Sequence, residues 1–161
     1  DCEIRIDSVP LRQEHVSDFQ RNLGWIPQLP QLAPGSIREQ FQLVAPEITD
    51  AEIAVLLAEL SLPINELPLG LDSTLGGSDE KSAQLSGGQL RKVAVARALM
   101  RSPFLIIADE PTADLDSESA TVIMNALRRA VSQGAALICI THEIDIASES
   151  DRIIAVERVS A

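Results

Sequence analysis

The 161-residue chain is the size of one domain, or of a large part of one, and 45% of its residues are hydrophobic, so it can bury a core. Thirteen basic against 24 acidic residues leave a formal charge of −11. Because such a surface mostly repels nucleic-acid phosphates and anionic membranes, the charge argues against a nucleic-acid partner. No apolar run approaches the ~20 residues that span a bilayer, so we expect any membrane role to come through a partner.

Cysteine usage points to a reducing compartment. The two cysteines, Cys2 and Cys139, are too few for a disulfide framework. Cys139 lies in an apolar run, which favours a reduced thiol in the core. No signal-like segment opens the sequence. We therefore expect the chain by itself to be soluble and cytosolic.

Short elements are predicted before residue 36. Residues 2–7 alternate between polar and apolar side chains, as in a half-buried strand, and residues 9–11 are the predicted turn after it. A second strand, residues 23–26, runs into two prolines that leave Gln28 in a loop. The Gln28 amide could contact a metal-bound water or a phosphate oxygen, although a loop glutamine is more often only solvated.

Residues 36–69 have a helical pattern. Ser36 is positioned to cap a helix over residues 37–43, and Thr49 and Glu52 form a capping box that opens a second helix. The predicted buried stripe of this second helix is Ile53, Leu56, Leu57 and Leu60.

The segment that follows is predicted to be irregular. Residues 62–69 contain two prolines and form at best a short helix. Residues 70–84 are rich in glycine, serine and acidic residues, which predicts a mobile surface loop.

The sequence Leu85-Ser86-Gly87-Gly88-Gln89 precedes a helix predicted over residues 90–100. A serine and two glycines at a helix start favour phosphate binding, because free N–H groups and the positive end of the helix dipole face the anion. Apolar residues on most sides of the helix indicate burial against a sheet. Its basic residues leave two interpretations open, solvation with pairing to the surplus acids, which we favour, or phosphate contact. They are Arg91, Lys92, Arg97 and Arg101.

The apolar run at residues 104–108 ends in Asp109 and Glu110. The run has no alternation, which predicts a parallel strand covered on both faces. Two acids at the exit of a buried strand suit a magnesium ligand, here Asp109, and a proton acceptor that polarises an attacking water, here Glu110. Adjacent acids are also common on surfaces, but the strand before this pair and the proline turn after it favour function.

A second strand end carries His142. The strand of residues 136–140 follows a helix that Asp116 or Ser117 caps and Gly134 closes. Helices alternating with apolar strands predict an α/β fold with a doubly wound parallel sheet, whose ligands lie beyond the carboxyl ends of its strands. His142 could there hydrogen-bond a terminal phosphate, although an isolated histidine is more often structural.

These motifs together resemble the ATP-binding-cassette (ABC) ATPases. Residues 85–89 match the signature motif of that family, residues 105–110 resemble its Walker B strand with a catalytic glutamate, and residues 113–116 resemble its D-loop. His142 is similar to the switch histidine and Gln28 to the Q-loop glutamine. The motifs occur in the order of the family over nearly the whole chain.

Smaller stretches are similar to the exporters within this family. Residues 25–28, 35–39 and 67–72 resemble exporters whose nucleotide-binding domain is fused behind a membrane domain. Residues 22–45 are most similar to the heterodimeric exporters of cysteine and glutathione that bacterial cytochrome bd assembly requires.

The resemblance implies a partial P-loop NTPase domain, with a mostly parallel sheet flanked by helices. Residues 36–101 would be a helical subdomain with the signature motif, and residues 1–35 and 102–161 a remnant of the catalytic core. ATP and Mg²⁺ are the implied cofactors. Two nucleotide-binding domains, identical or different, would sandwich ATP head to tail, and residues 36–69 would receive the coupling helices of a transmembrane domain at the cytoplasmic face of the inner membrane.

The resemblance also implies residue roles. Glu110 and His142 would be catalytic, and Asp109 with Gln28 would contact the metal. The residues that would bind ATP held by the opposite domain, or lie across that interface, are Ser86, Gly87, Gly88, Gln89 and Asp116.

One departure from the family is large. No Gly-x-x-x-x-Gly-Lys-Ser/Thr occurs, and the only lysines are Lys81 and Lys92. The chain therefore resembles the C-terminal two-thirds of a nucleotide-binding domain, which we expect to be inactive alone. We also expect the strand at residues 136–140 to have an open apolar edge through which the chain self-associates. The alternatives are a soluble ABC ATPase of DNA repair or translation, and a non-catalytic signature-motif module that acts on a partner's site.

Overall fold

The structure is a computed structural model that describes residues 3–6, 8–75, 82–83 and 85–156. The expectation for Cys2, and parts of the predicted 2–7 strand and 70–84 loop, lie outside the described residues. In chain order, the strands and helices are β1 (Arg5–Ile6), β2 (Val9–Pro10), α1 (Val16–Arg21), β3 (Leu23–Ile26), β4 (Gly35–Ser36), α2 (Ile37–Gln42), α3 (Asp50–Glu59), β5 (Thr74–Leu75), β6 (Ser82–Ala83), α4 (Gly87–Leu99), β7 (Leu105–Asp109), α5 (Ser117–Ser132), β8 (Ala136–Ile140) and α6 (Ile144–Ser148).

A parallel sheet in the order β3-β7-β8 places the carboxyl ends of its strands side by side. Its buried face contains Ile26, Ile106 and Ala108, which are fully buried against apolar residues of α4 and α5. Gly24 permits this packing, because a Cβ there would lie 3.1 Å from the carbonyl oxygen of Ala98 in α4. The predicted parallel sheet with a buried helix at residues 90–100 is confirmed.

The opposite face of the sheet is open. On this face Ile107 of β7 lies between its two partners, Trp25 of β3 and Ile138 of β8. Trp25 and Ile138 are 50% and 51% exposed. The prediction that the 104–108 strand is covered on both faces is therefore wrong for the described residues, because α4 and α5 both pack on the other face. Strand β8 is the last of this sheet among the described residues, so the predicted open apolar edge is confirmed.

Helices α2 and α3 begin where the predicted caps place them. Ser36 and Thr49 each form a capping box with the glutamate three residues later, at the starts of α2 and α3. The buried residues Ile37, Phe41, Ile53 and Leu57 join these helices into the same core as the sheet. No helix of the described residues is both long and apolar enough to cross a membrane.

Two predictions about irregular segments are wrong. Val9–Pro10 is not a turn but a strand that pairs antiparallel with β1, because the chain reverses one step earlier, at Ser8 with φ 68°. The 70–84 segment does not begin as a surface loop. Alternate residues of this stretch face the core, so that Leu71, Ser73 and Leu75 are buried. Strand β5 in this stretch pairs with both β4 and β6.

Candidate functional site

Glu110, at the carboxyl end of β7, has a constrained backbone. Glu110 follows Asp109 with φ 46°, in the left-handed region that costs a non-glycine residue about 1–2 kcal/mol. Its amide donates to the carbonyl oxygen of Ile140 at 2.8 Å, which ties the residue to the end of β8. Such a conformation persists only where the surrounding structure holds it.

The Glu110 carboxylate contacts His142. Its Oε1 lies 2.7 Å from Nδ1 of His142, and Thr141 Oγ1 donates to Oε2 at 3.5 Å. The Glu110 side chain is 14% exposed, whereas that of His142 is 79% exposed. The hydrogen bond to Glu110, reinforced by the negative charges of Glu110 and Glu143, raises the pKa of His142. Two residues predicted on separate strand ends thus form one carboxylate–imidazole pair.

Asp109 and Gln28 supply oxygen atoms of the kind that Mg²⁺ prefers. Asp109 is half-buried as the last residue of β7, and Gln28 is exposed two residues after β3. No group of three or more potential metal ligands occurs among His, Cys, Asp and Glu of the described residues. Magnesium commonly binds one or two protein oxygens together with phosphate oxygens, so this donor set fits that mode of binding.

Arg91 is a site residue that the sequence interpretation missed. Its side chain is not solvated as expected, because the residue is only 5% exposed. Nη1 donates to the carbonyl oxygen of Glu110 at 2.5 Å and Nη2 to that of Gln28 at 2.8 Å. A signal was present, because Arg91 lies one helical turn before the fully buried Val95 on the same face of α4.

The start of α4 is the second group of predicted residues. Ser86 caps the helix: its Oγ accepts from the Gln89 amide at 3.2 Å, and its own amide donates to Gln89 Oε1 at 2.9 Å. A Cβ at Gly88 would lie 3.2 Å from Leu115 Cδ2, whereas a Cβ at Gly87 would have no neighbour within 4 Å. Gly88 therefore serves close packing, and Gly87 leaves open space.

Asp116 lies in the same region as the start of α4. Both line a cleft of about 550 Å³, together with residues 113–115. Asp116 is the N-cap of α5, where its Oδ1 accepts from the Ser119 amide at 2.8 Å. This backbone hydrogen bond lowers the pKa of the Asp116 carboxyl. The structure therefore separates the predicted residues into two groups, one at the ends of β7 and β8 and one around this cleft.

A model of the family described as "ABC transporter" matches residues 2–113 of this chain. The chain belongs to the ABC transporter family. The ATP-dependent permease MDL1 of Candida albicans is 37% identical over 94% of this chain. The Escherichia coli glutathione/L-cysteine transport system ATP-binding/permease protein CydD is 34% identical over 93% of it. The predicted family is confirmed.

The structure of the chain is also similar to that of an ABC exporter. A bacterial Atm1-family ABC exporter, solved with ATP bound, superposes on 92% of this chain with a TM-score of 0.79 and 28% sequence identity. The α/β fold of an ABC exporter nucleotide-binding domain is thereby confirmed. The chain spans only 22% of the MDL1 sequence, 25% of CydD and 26% of the superposed exporter chain.

Proposed function

We propose that this chain is the part of an ABC exporter nucleotide-binding domain that holds the hydrolytic carboxylate of one ATP site and the signature motif of another. The observation that carries the proposal is the 2.7 Å contact between Glu110 and His142 at the carboxyl ends of β7 and β8. Ligands of parallel α/β sheets bind beyond these strand ends. Domains of this family generally bind ATP with Mg²⁺, which matches the donor set at Asp109 and Gln28.

Glu110 acts as the general base in this proposal. Water attacks the γ-phosphorus of ATP, its proton passes to the Glu110 carboxylate, and ADP leaves with the electrons of the broken P–O bond. His142, as the imidazolium, donates to Glu110 from Nδ1 and is exposed enough to donate to an oxygen of the γ-phosphate from Nε2. Asp109 and Gln28 would hold Mg²⁺, whose charge offsets that of the phosphates.

The residues around the cleft at the start of α4 are proposed to face a second nucleotide-binding domain. Ser86 and Gly87 are exposed, and the first N–H groups of α4 have no partner within the helix. A γ-phosphate bound by the second domain would be capped by Ser86, Gly87, Gly88 and Gln89. Asp116 borders the same cleft and would meet the opposite domain there.

The helical subdomain, which we propose to comprise residues 36–101, is the candidate contact for a transmembrane domain. A second cleft, of about 590 Å³, lies along α3 and is lined mainly by apolar side chains that include Val55 and Leu56. Val55 is 60% exposed, as expected of a surface that meets a partner. Closure of the ATP sandwich would move this subdomain and so drive transport, at the cytoplasmic face of a membrane.

We propose that the 161-residue chain by itself does not hydrolyse ATP, because none of its residues forms a Gly-x-x-x-x-Gly-Lys-Ser/Thr phosphate loop. We also propose that it self-associates through the open edge of β8, with which no further strand pairs among the described residues. Ile138 and Ile140, on the open face next to this edge, are 51% and 49% exposed. Analytical ultracentrifugation at micromolar concentration is expected to show a dimer or larger species. A monomer at all concentrations would contradict the second proposal.

An exporter chimera tests the function. Residues 3–156 replace the segment of the Atm1-family exporter on which this chain superposes. We expect the chimera to hydrolyse ATP, and the Glu110→Gln chimera to lose at least about a hundredfold in kcat, the usual range for a general base. The isolated chain should show no turnover. An assembled, folded chimera whose turnover survives Glu110→Gln would contradict the proposed role.

The exporter function is favoured over a soluble ABC ATPase by the relatives, since MDL1 is named a permease and CydD an ATP-binding/permease protein. The transported substrate is a separate matter. CydD is named for glutathione and L-cysteine, and its 34% identity is close to the 37% of MDL1, so overall identity assigns no substrate to this chain.

A further inference from the structure

We propose that Arg91 is a positioning residue that fixes the Gln28 loop and the Glu110 turn of one ATP site to the helix whose first turn faces the other ATP site. The inference rests on the proposed function, and it adds a residue that joins the two groups of site residues. Arg91 touches neither reacting atoms nor phosphate in this role. It acts through the backbone of the residues that do.

The bonding of the guanidinium is the first observation. One buried, planar group donates to two carbonyl oxygens, of Glu110 at 2.5 Å and of Gln28 at 2.8 Å, which lie 19 and 63 residues away along the chain. The rigid fork of an arginine fixes the spacing and direction of two such acceptors, which a flexible ammonium group does not do. The paired strands β3 and β7 bring the two loops side by side, and Arg91 adds a further contact that holds both loops beyond the strand ends.

The backbone of Glu110 shows why this matters. Glu110 has φ 46°, and its amide is held by the carbonyl of Ile140 at 2.8 Å. Its carbonyl accepts from Arg91 and also from the Ala113 amide at 3.2 Å. A left-handed residue keeps this conformation only where its surroundings hold it. Arg91 is thus part of what holds the carboxylate against His142.

The position of Arg91 in α4 connects the start of this helix with the Glu110 turn and the Gln28 loop. Arg91 follows Gln89 by two residues, and both line the cleft at the start of α4. Because a helical turn is stiff, a displacement of Ser86–Gln89 when a second domain binds is transmitted to Arg91. The same displacement then moves Glu110 and Gln28 together. Through Arg91, the binding of one nucleotide at the start of α4 would thus align Glu110 at the other nucleotide.

A matched control exists on the same helix. Arg97 also donates to the loop after β3, but through one longer hydrogen bond, from Nη2 to the carbonyl oxygen of Gln31 at 3.4 Å, and it does not bond to Glu110. Arg97→Met removes a cation and a loop contact from α4 without removing the tie to Glu110. Arg91→Met removes both ties, and Arg91→Lys keeps the charge and at most one of them.

Amide hydrogen exchange of the 161-residue chain, followed by NMR, tests whether Arg91 holds the Glu110 turn, and it does not require ATPase activity. Arg91→Met should speed exchange at the Glu110 and Ala113 amides about tenfold, the equilibrium effect of losing one hydrogen bond to a charged group. Arg91→Lys should give a smaller increase, and Arg97→Met none at these two amides. Unchanged exchange in Arg91→Met would overturn the proposal. If Arg91→Met does not fold, unchanged exchange in Arg91→Lys overturns it equally.

ATP hydrolysis by the exporter chimera tests the consequence for catalysis. Arg91→Met should lower kcat about tenfold while the KM for ATP changes less than about twofold, with partial recovery in Arg91→Lys. An equal loss in Arg97→Met, or a rise in KM alone, would overturn a positioning role. A wild-type chimera without ATPase activity would instead count against the proposed function, and the exchange measurement would still decide whether Arg91 holds the Glu110 turn.

Discussion

The start of α4 and the end of β7 are both rich in predicted site residues, but they are built in opposite ways. At the start of α4, Ser86 and Gln89 satisfy each other in a capping box, and Gly87 faces open space. At the end of β7, Glu110 is left-handed, 14% exposed and held by bonds to Ile140, Arg91 and His142. The first region is complete in itself and open to an approaching group, and the second holds one carboxylate in place.

This difference indicates separate tasks. A carboxylate that accepts a proton needs a fixed position, because a misplacement of about 1 Å can lower a rate about a hundredfold. A phosphate-capping helix start needs access and free N–H groups. The contrast agrees with two ATP sites that share one chain. Arg91 connects the two regions, because it lies in α4 and donates to the carbonyl oxygens of Glu110 and Gln28.

The largest expected effect comes from filling the open space at the start of α4. Gly87→Val should lower kcat of the exporter chimera about a hundredfold, the scale of removing a donor from a transition-state site. The free energy of unfolding of the isolated chain, measured with urea, should change by less than about 1 kcal/mol, a helix-propensity effect. Wild-type turnover in Gly87→Val would show that no phosphate approaches this helix start.

Gly88→Ala is the matched control for the packing role of the neighbouring glycine. Its new Cβ would meet Leu115 Cδ2 at 3.2 Å, so the chain itself should be destabilised relative to Gly87→Ala. Equal stabilities of the two alanine variants would contradict the assignment of different roles to the two glycines.

A smaller effect is expected from the cap of α4. Ser86→Ala removes the acceptor of the Gln89 amide and should lower the free energy of unfolding by about 1 kcal/mol, as for other N-caps. Ser86→Thr keeps the hydroxyl and should restore most of that stability. Urea denaturation of the isolated chain gives both values. A neutral Ser86→Ala would mean that the capping box adds no net stability.

The smallest effect is the titration of His142. NMR should show the pKa of His142 above the ordinary 6.5, because of the Glu110 hydrogen bond and the nearby Glu110 and Glu143 charges. Since the folded pKa is raised, the pair stabilises the fold below pH 6.5 and loses that contribution as pH rises through the folded pKa. Glu110→Gln should return the pKa toward 6.5, and an unchanged pKa would contradict the pair.

Local signals explain which parts of the structure could be predicted. Caps act over three residues, so the predicted caps Ser36 and Thr49 are confirmed, and Asp116 is the correct one of the two candidates for α5. The helix predicted over residues 90–100 begins earlier, at Gly87, with Ser86 as its cap. The open face of the sheet at Trp25 and Ile138 was not predicted, because burial of a strand depends on where distant helices pack. Arg91 was misread for a related reason. Its two acceptors are backbone carbonyls, which have the same chemistry in every sequence.

The pairing of Glu110 with His142 lies between these cases. The sequence placed both residues at strand ends, which is a consequence of parallel topology. Their direct contact depends on the register in which Asp109 lies opposite Ile140, and neither strand encodes that register alone. The roles given to these residues remain predictions.

Subunit mixing of the exporter chimera tests most directly whether Glu110 and the start of α4 serve different ATP sites. The Glu110→Gln and Gly87→Val chimeras, each nearly inactive alone, are mixed in equal amounts and reassembled. A mixed pair contains one site with an intact Glu110 from one copy and an intact α4 start from the other, so ATP hydrolysis should return to a substantial fraction of the wild-type rate. If both regions served the same ATP, no mixed pair would have an intact site and the rate would stay at the level of the single variants.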